Sequence, residues 1–286
     1  MILYEIKEQK KLLILLLAGL FSFCAVYISM IYFPQLIVEI IQIINGSKFL
    51  SAFIGINEPI DSLTFKEAIF SAITILNFFI IHISFSNSMA TISREKRMGT
   101  LCFLISHKVS RIKLFLTKLC IIIIATSIQL LVWWLVIRRI SLNGVTDVDF
   151  FVETISEDVA NVMLSITLIN LFFIAAGFFL GSIFSFTKKE ASFHSRCLMF
   201  LLVFFAILPN FINAILALLN VDNIVIIKKN IFIKIISVFQ KFNPLYICYP
   251  FTTCENVSIA LIVSLILFSC ILLLMSGFIY CKKRIY

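Results

Sequence analysis

Charge is scarce in this 286-residue chain: Asp, Glu, Lys and Arg together make up only 14% of it. A soluble fold of this length needs far more, since soluble domains carry about 25% charged residues. The usual signatures of catalysis are missing too. There is no H-E-x-x-H run, no G-x-S-x-G turn, and no pair of glutamates within an apolar stretch. The eight glycines nowhere form a G-x-x-x-x-G-K-[ST] phosphate loop, so the chain cannot cradle ATP in that manner. Its eight cysteines lack metal-ligand spacing, and those inside apolar runs behave as small hydrophobes. An enzyme is not expected, nor a metal or cofactor.

What fills the chain instead is apolar: 61% of its residues are hydrophobic, against roughly 45–50% in soluble domains. The bilayer is then the solvent for most of it. An all-α, polytopic membrane protein is predicted, a single transmembrane domain over 1–286 with six crossings at about 12–33, 65–90, 114–137, 159–184, 198–219 and 257–280. Residues 1–11 form a short N-terminal elbow carrying Lys7, Lys10 and Lys11. The run after them is longer than the roughly 7–15-residue apolar core of a signal peptide, so it reads as an uncleaved first helix ended by Pro34. Gln35, Glu39, Gln42 and Gly46 recur at helical spacing, which predicts an amphipathic helix lying in the outer interface. Asn230, Lys234, Ser237 and Lys241 repeat that spacing within 224–242; a second interfacial helix and a re-entrant hairpin both fit. These outer pieces are either plain interfacial plugs or a lid over an exit path.

The net charge of +9 is placed at the ends of apolar runs, not in the patch or stripe that nucleic-acid binding requires. Nucleic acid is therefore excluded as a partner, and anionic lipid is favoured. With both termini in the cytoplasm, sixteen of the twenty-four Lys and Arg residues fall in inner segments and eight in outer ones. That excess follows the positive-inside rule, with Arg138 and Arg139 as exceptions. The segment from Arg138 to Asp158 is read as external and is the most acidic part of the chain.

The longest polar interruption is Ser93–Leu119, with seven cations opposed by Glu95 alone. Positive-inside anchoring accounts for the cations. It does not account for Gly99-Thr100-Leu101, nor for the apolar patch Leu101-Cys102-Phe103-Leu104-Ile105 between two charge clusters. Gly99 permits a sharp reversal, Thr100 can cap a short helix, and Ser110 can cap the third crossing. A stubby helix at the cytoplasmic membrane surface is the expected result, within a loop over 93–113.

These residues resemble a known pattern. Arg94-Glu95-Lys96-Arg97-Met98-Gly99-Thr100-Leu101, then Val109-Ser110-Arg111 and Lys118-Leu119, are similar to the loop between helices two and three of type-2 ABC transporter permeases. That family reads E-[KR]-x-x-G-T-L-E, then P-V-S-R, then G-K. Cys102, Lys108 and Thr117 depart from it. The elbow, the six crossings, the outer segments and the Asn243-Pro244-Leu245-Tyr246 turn resemble the family as well. The resemblance implies a coupling helix over 99–106 that seats in a separate ATP-binding subunit. Arg94, Glu95 and Arg111 would form its polar rim, with Gly99, Thr100, Leu101, Phe103 and Leu104 as its body. It further implies a second permease subunit, in a homo- or heterodimer, and export across a cell membrane. The Ile-, Lys-, Asn- and Phe-rich composition suggests a bacterial one.

Other candidates stay open between two readings. His82 is either an intramembrane functional group or a neutral imidazole bonded to a neighbouring helix. Asn77, Asn210 and Asn213 either join helices or line a polar pathway. Gly177 and Gly181 read as a helix-packing pair, with a hinge or dimer seam as the alternative. Cys248 and Cys254 are bridged or free. Two rivals to an exporter subunit remain: a non-transporting docking, immunity or signalling component, and an intramembrane enzyme centred on His82. Crossings almost free of charge favour a hydrophobic or amphipathic cargo.

Overall fold

The computed structural model describes residues 10–47, 65–97, 110–143, 149–218 and 259–282. Every element among them is helical: α1 (Lys10–Tyr32), α2 (Pro34–Gly46), α3 (Phe65–Arg97), α4 (Arg111–Asn143), α5 (Asp149–Ile183), α6 (Lys188–Leu218) and α7 (Ile259–Lys282). Three segments among the described residues are long and apolar enough to cross a bilayer: Arg111–Arg139, Met163–Ile183 and Ile262–Lys282. Ile14–Ala25 is a shorter apolar piece. The protein is thus an all-helical membrane protein, in which helices satisfy their own backbone where water cannot.

α5 is the axis of the bundle. It packs most extensively on α3, then on α7 and α4, while α6 and α1 lean on α3. The α3–α5 pairing is parallel: Asn77 meets Asn170, and further along Phe85 and Met89 meet Gly177 and Gly181. A Cβ added to Gly177 would lie 2.7 Å from Ser88 Cβ, and one added to Gly181 would lie 2.7 Å from Met89 O. Only bare backbone allows so close an approach, which small residues every fourth position permit between membrane helices. α4 runs against both partners, since Phe115 near its start stacks edge-on with Phe178 near the end of α5. α7 ends beside the start of α4, where Tyr280 meets Phe115.

Several boundaries differ from those that apolarity alone suggests. α3 continues past Ala90 to Arg97, and α4 continues past Ile137 to Asn143. α5 begins at Asp149 inside the acidic segment, and α6 begins at Lys188 instead of Leu198. One reason covers all four: a helix closes its hydrogen bonds through its own backbone, so it runs on into the polar zone after its apolar side chains stop. Pro34 does more than end the first helix. It opens α2, taking the first helical position where its missing N–H is not needed. Gln35, Glu39 and Gln42 of α2 are exposed, and so are Ile40 and Ile43.

Trp133, near the end of the apolar run of α4, sits where an indole commonly anchors at the membrane–water boundary. It is not a boundary anchor but is buried, with its indole over Gly19 and edge-on to Phe23 at 5.6 Å. Its Nε1 donates to Leu16 O at 3.3 Å. Gly19 has no side chain to occupy the space the ring takes, so α1 closes onto α4 here. Trp134 is half-buried and carries the Arg138 guanidinium 5.4 Å from its ring centroid.

Candidate functional site at the cation-rich end of the bundle

α3, α5 and α7 end, and α4 and α6 begin, at one end of the bundle. Arg94, Arg111, Lys113, Lys118, Lys188, Lys189 and Lys282 all lie on the turns that meet there. Each helix start is built from local sequence. Ser110 Oγ accepts from Lys113 N at 3.3 Å and caps α4. Thr187 and Glu190 cap α6 reciprocally: Thr187 N donates to Glu190 Oε2 at 2.8 Å, and Glu190 N donates to Thr187 Oγ1 at 3.1 Å. This is the capping-box arrangement.

Three side chains tie the helix ends together. Arg111, the first residue of α4, donates from Nη1 to Cys281 O at 3.0 Å. A guanidinium is favoured against the electronegative carbonyl end of α7, and its planar fork holds direction better than an ammonium. Ser93, fully buried on α3, places its Oγ 2.9 Å from Met89 O, 3.2 Å from Gly181 O and 3.1 Å from Phe184 O. Gly181 is in the last turn of α5 and Phe184 follows it directly, so neither carbonyl has a donor within the helix. One hydroxyl hydrogen therefore serves the α3–α5 junction.

The third is Lys118. Its side chain is fully buried, and Nζ donates to Thr91 O of α3 at 2.6 Å. A charged donor makes such a bond roughly twice as strong as a neutral one. Lys118 falls on the buried stripe of α4 with Leu114, Ile122 and Thr126. Counting by fours from Leu114 would have separated it from the surface cations around it.

The expected coupling residues divide across this end. Arg94 is half-buried on the last turn of α3, and Glu95 lies on that same turn. Arg111 faces α7, as described above. Gly99, Thr100, Leu101, Phe103 and Leu104 fall outside the described residues, as do the 224–242 piece, Cys248 and Cys254. Asn210 and Asn213 lie on α6, whose backbone remains helical through Pro209.

The polar candidates deeper in the bundle join helices. His82 Nδ1 lies 2.8 Å from Ser195 Oγ of α6, and Ser195 Oγ donates back to His82 O at 3.0 Å. With the hydroxyl hydrogen committed to that carbonyl, Nδ1 is the donor to Oγ, which assigns the proton from the bonding network. Asn77, fully buried, accepts from Asn170 Nδ2 at 2.9 Å. Asn170 was overlooked in the sequence because it sits in an apolar run. Its signal is its spacing: Asn170, Ile174, Gly177 and Gly181 follow i, i+4, i+7 and i+11, one stripe of α5. Among the described residues, no group of His, Cys, Asp and Glu could hold a metal ion.

No protein-family model matches the chain, and no curated protein matches it.

Proposed function

We propose that this protein is the membrane-spanning permease subunit of an ATP-binding cassette exporter in a bacterial cell membrane. It crosses the bilayer six times with both termini in the cytoplasm, and it works with a second permease subunit and a separate ATP-binding subunit. The cargo is hydrophobic or amphipathic. The reading starts from the resemblance of residues 94–119 to the coupling loop of type-2 permeases.

One observation carries the mechanism. The two helices that flank 98–109 are not loose at their ends: α3 is held to α5 through Ser93 and to α4 through Lys118, and α4 is held to α7 through Arg111. A push on the connector is then a push on four helices at once. ATP binding shifts such a lever only through its differential affinity for the two states, and a tightly tied root lets that difference reach the bundle. The gathering of cations at this end supports its assignment to the cytoplasmic side.

The test is reconstitution in vesicles with the ATP-binding subunit. Deleting Leu101–Ile105, or replacing Gly99 with Trp, should leave membrane insertion and ATP hydrolysis in place while ATP-dependent cargo movement is lost. Cargo movement at the wild-type rate by both variants would refute the assignment.

A further inference from the structure

The interior of the bundle is polar along one line. On α3, Asn77, Ser84 and Thr91 recur every seventh residue and are all buried, so they share a face over about 21 Å. At one end of that line stands the Lys118–Thr91 bond. Gln129 lies eleven residues further along α4, which is three turns plus about 20°. It therefore leaves α4 on nearly the side from which Lys118 reaches α3. Because α4 runs against α3, eleven residues back from Thr91 reaches Ile80. Gln129 is thus level with the stretch between Asn77 and Ser84.

Gln129 is 1% exposed, and among the described residues neither its Oε1 nor its Nε2 has a hydrogen-bond partner. Asn170 of α5, also 1% exposed, supplies an independent observation. Its Nδ2 commits both hydrogens, to Asn77 Oδ1 and Ile166 O, each at 2.9 Å. The Ile166 carbonyl fixes which way this amide faces, since a flipped amide would set two oxygens against each other. Asn170 Oδ1 is left unpaired. Two buried amides therefore keep unpaired polar atoms: the oxygen and the nitrogen of Gln129 on α4, and the oxygen of Asn170 on α5.

A buried amide without partners is strongly disfavoured, and nearly all such groups in folded proteins bond to protein or to ordered water. At Gln129 a ligand must both donate, to Oε1, and accept, from Nε2. A cation would suit the two oxygens but oppose Gln129 Nε2, and an anion would do the reverse. Water serves all three atoms, and buried waters typically make about three such bonds. Ser84 adds a further acceptor, because its hydroxyl hydrogen already goes to Ile80 O at 2.7 Å. We infer that Gln129 and Asn170 bind ordered water inside the bundle, forming a wet layer midway along α3 and α4.

The site stands on these amides alone; its use in transport rests on the exporter reading. Water bonds re-form in new geometries, so α4 can shift against α3 without stripping either amide of its partners.

The chain has five glutamines, Gln9, Gln35, Gln42, Gln129 and Gln240, so side-chain 15N-glutamine labelling yields five amide pairs. In the full-length protein in lipid nanodiscs, Gln129→Met identifies the pair of Gln129. If that variant does not fold, Gln→Met changes at the other four identify it by elimination. The expected result is direct cross-relaxation between the Gln129 amide protons and water. Their deuterium exchange should be on the order of 100-fold slower than that of exposed Gln35 and Gln42, as for a closed site. Cross-peaks only to aliphatic protons, or to the Asn170 side chain, would overturn the inference. So would exchange as fast as that of Gln35, which would mean an open crevice.

Discussion

α5 and α7 run in the same direction and touch along their lengths, but one is enclosed and the other is not. Of the membrane-length segment of α5, 56% is buried, against 11% for that of α7. Apolarity does not separate them, because lipid tails are as good a solvent for Leu and Phe as another helix is. What differs is the face each helix offers. α5 presents Gly177, Gly181 and Asn170 to α3, so backbones approach and an amide pair closes between them. α7 buries Ser269, Ser276 and Tyr280 on one side, and leaves Phe268, Leu274 and Phe278 outward. Close approach and directional bonds select the central helix; bulk apolar surface does not.

That contrast can be broken at graded strength. The largest effect is expected from Lys118→Glu, which would set a carboxylate against Thr91 O in a fully buried position. An uncompensated buried charge costs about 3–5 kcal/mol, so the variant should fail to yield folded protein, read as monodispersity in detergent. Lys118→Met, of similar volume, should stay within about 1.5 kcal/mol of wild type. Near-equal behaviour of the two variants would mean that Lys118 is not enclosed.

Next comes Gly181→Leu, whose added atoms would meet the Met89 backbone rather than a movable side chain. Overpacking of that kind costs about 1–3 kcal/mol, seen as a lowered Tm. Gly277→Ala on α7 sharpens the comparison, because its nearest neighbour is the Phe115 ring at an ordinary 3.6 Å; no loss is expected there.

Asn170→Leu should cost about 0.6–2 kcal/mol, the range for hydrogen bonds between membrane helices. A double-mutant cycle with Asn77→Leu should show coupling between the two sites. The smallest effect belongs to Leu274→Ala on the outward face of α7, where the side chain is 73% exposed. Its change should stay within about 0.5 kcal/mol. A larger loss would show that another surface covers α7.

Much of the architecture was legible before any coordinates. Long apolar runs named the class, and Gly177 with Gly181 marked the seam. Boundaries were less so, because apolarity reports where lipid stops while hydrogen bonding decides where a helix stops. At the candidate site, Arg111 stood out by its charge and by resemblance, but its partner, Cys281 O, lies 170 residues away and is a backbone carbonyl with no sequence signature. Trp133 misled for a related reason: an indole near the end of an apolar run looks like an anchor until Gly19 of another helix is seen beneath it.

By itself, the sequence determined that this chain lives in a bilayer as helices, because its charge is too sparse for water and unpaired backbone is too unfavourable in lipid. It also set which ends of the apolar runs carry cations. Only the tertiary structure decided which helix is central, that Lys118 is enclosed while its charged neighbours are not, and that Ser93, Arg111 and Lys118 lash four helix ends together. Those outcomes depend on distances between residues far apart in the chain, where a missing Cβ or one carbonyl oxygen settles the contact.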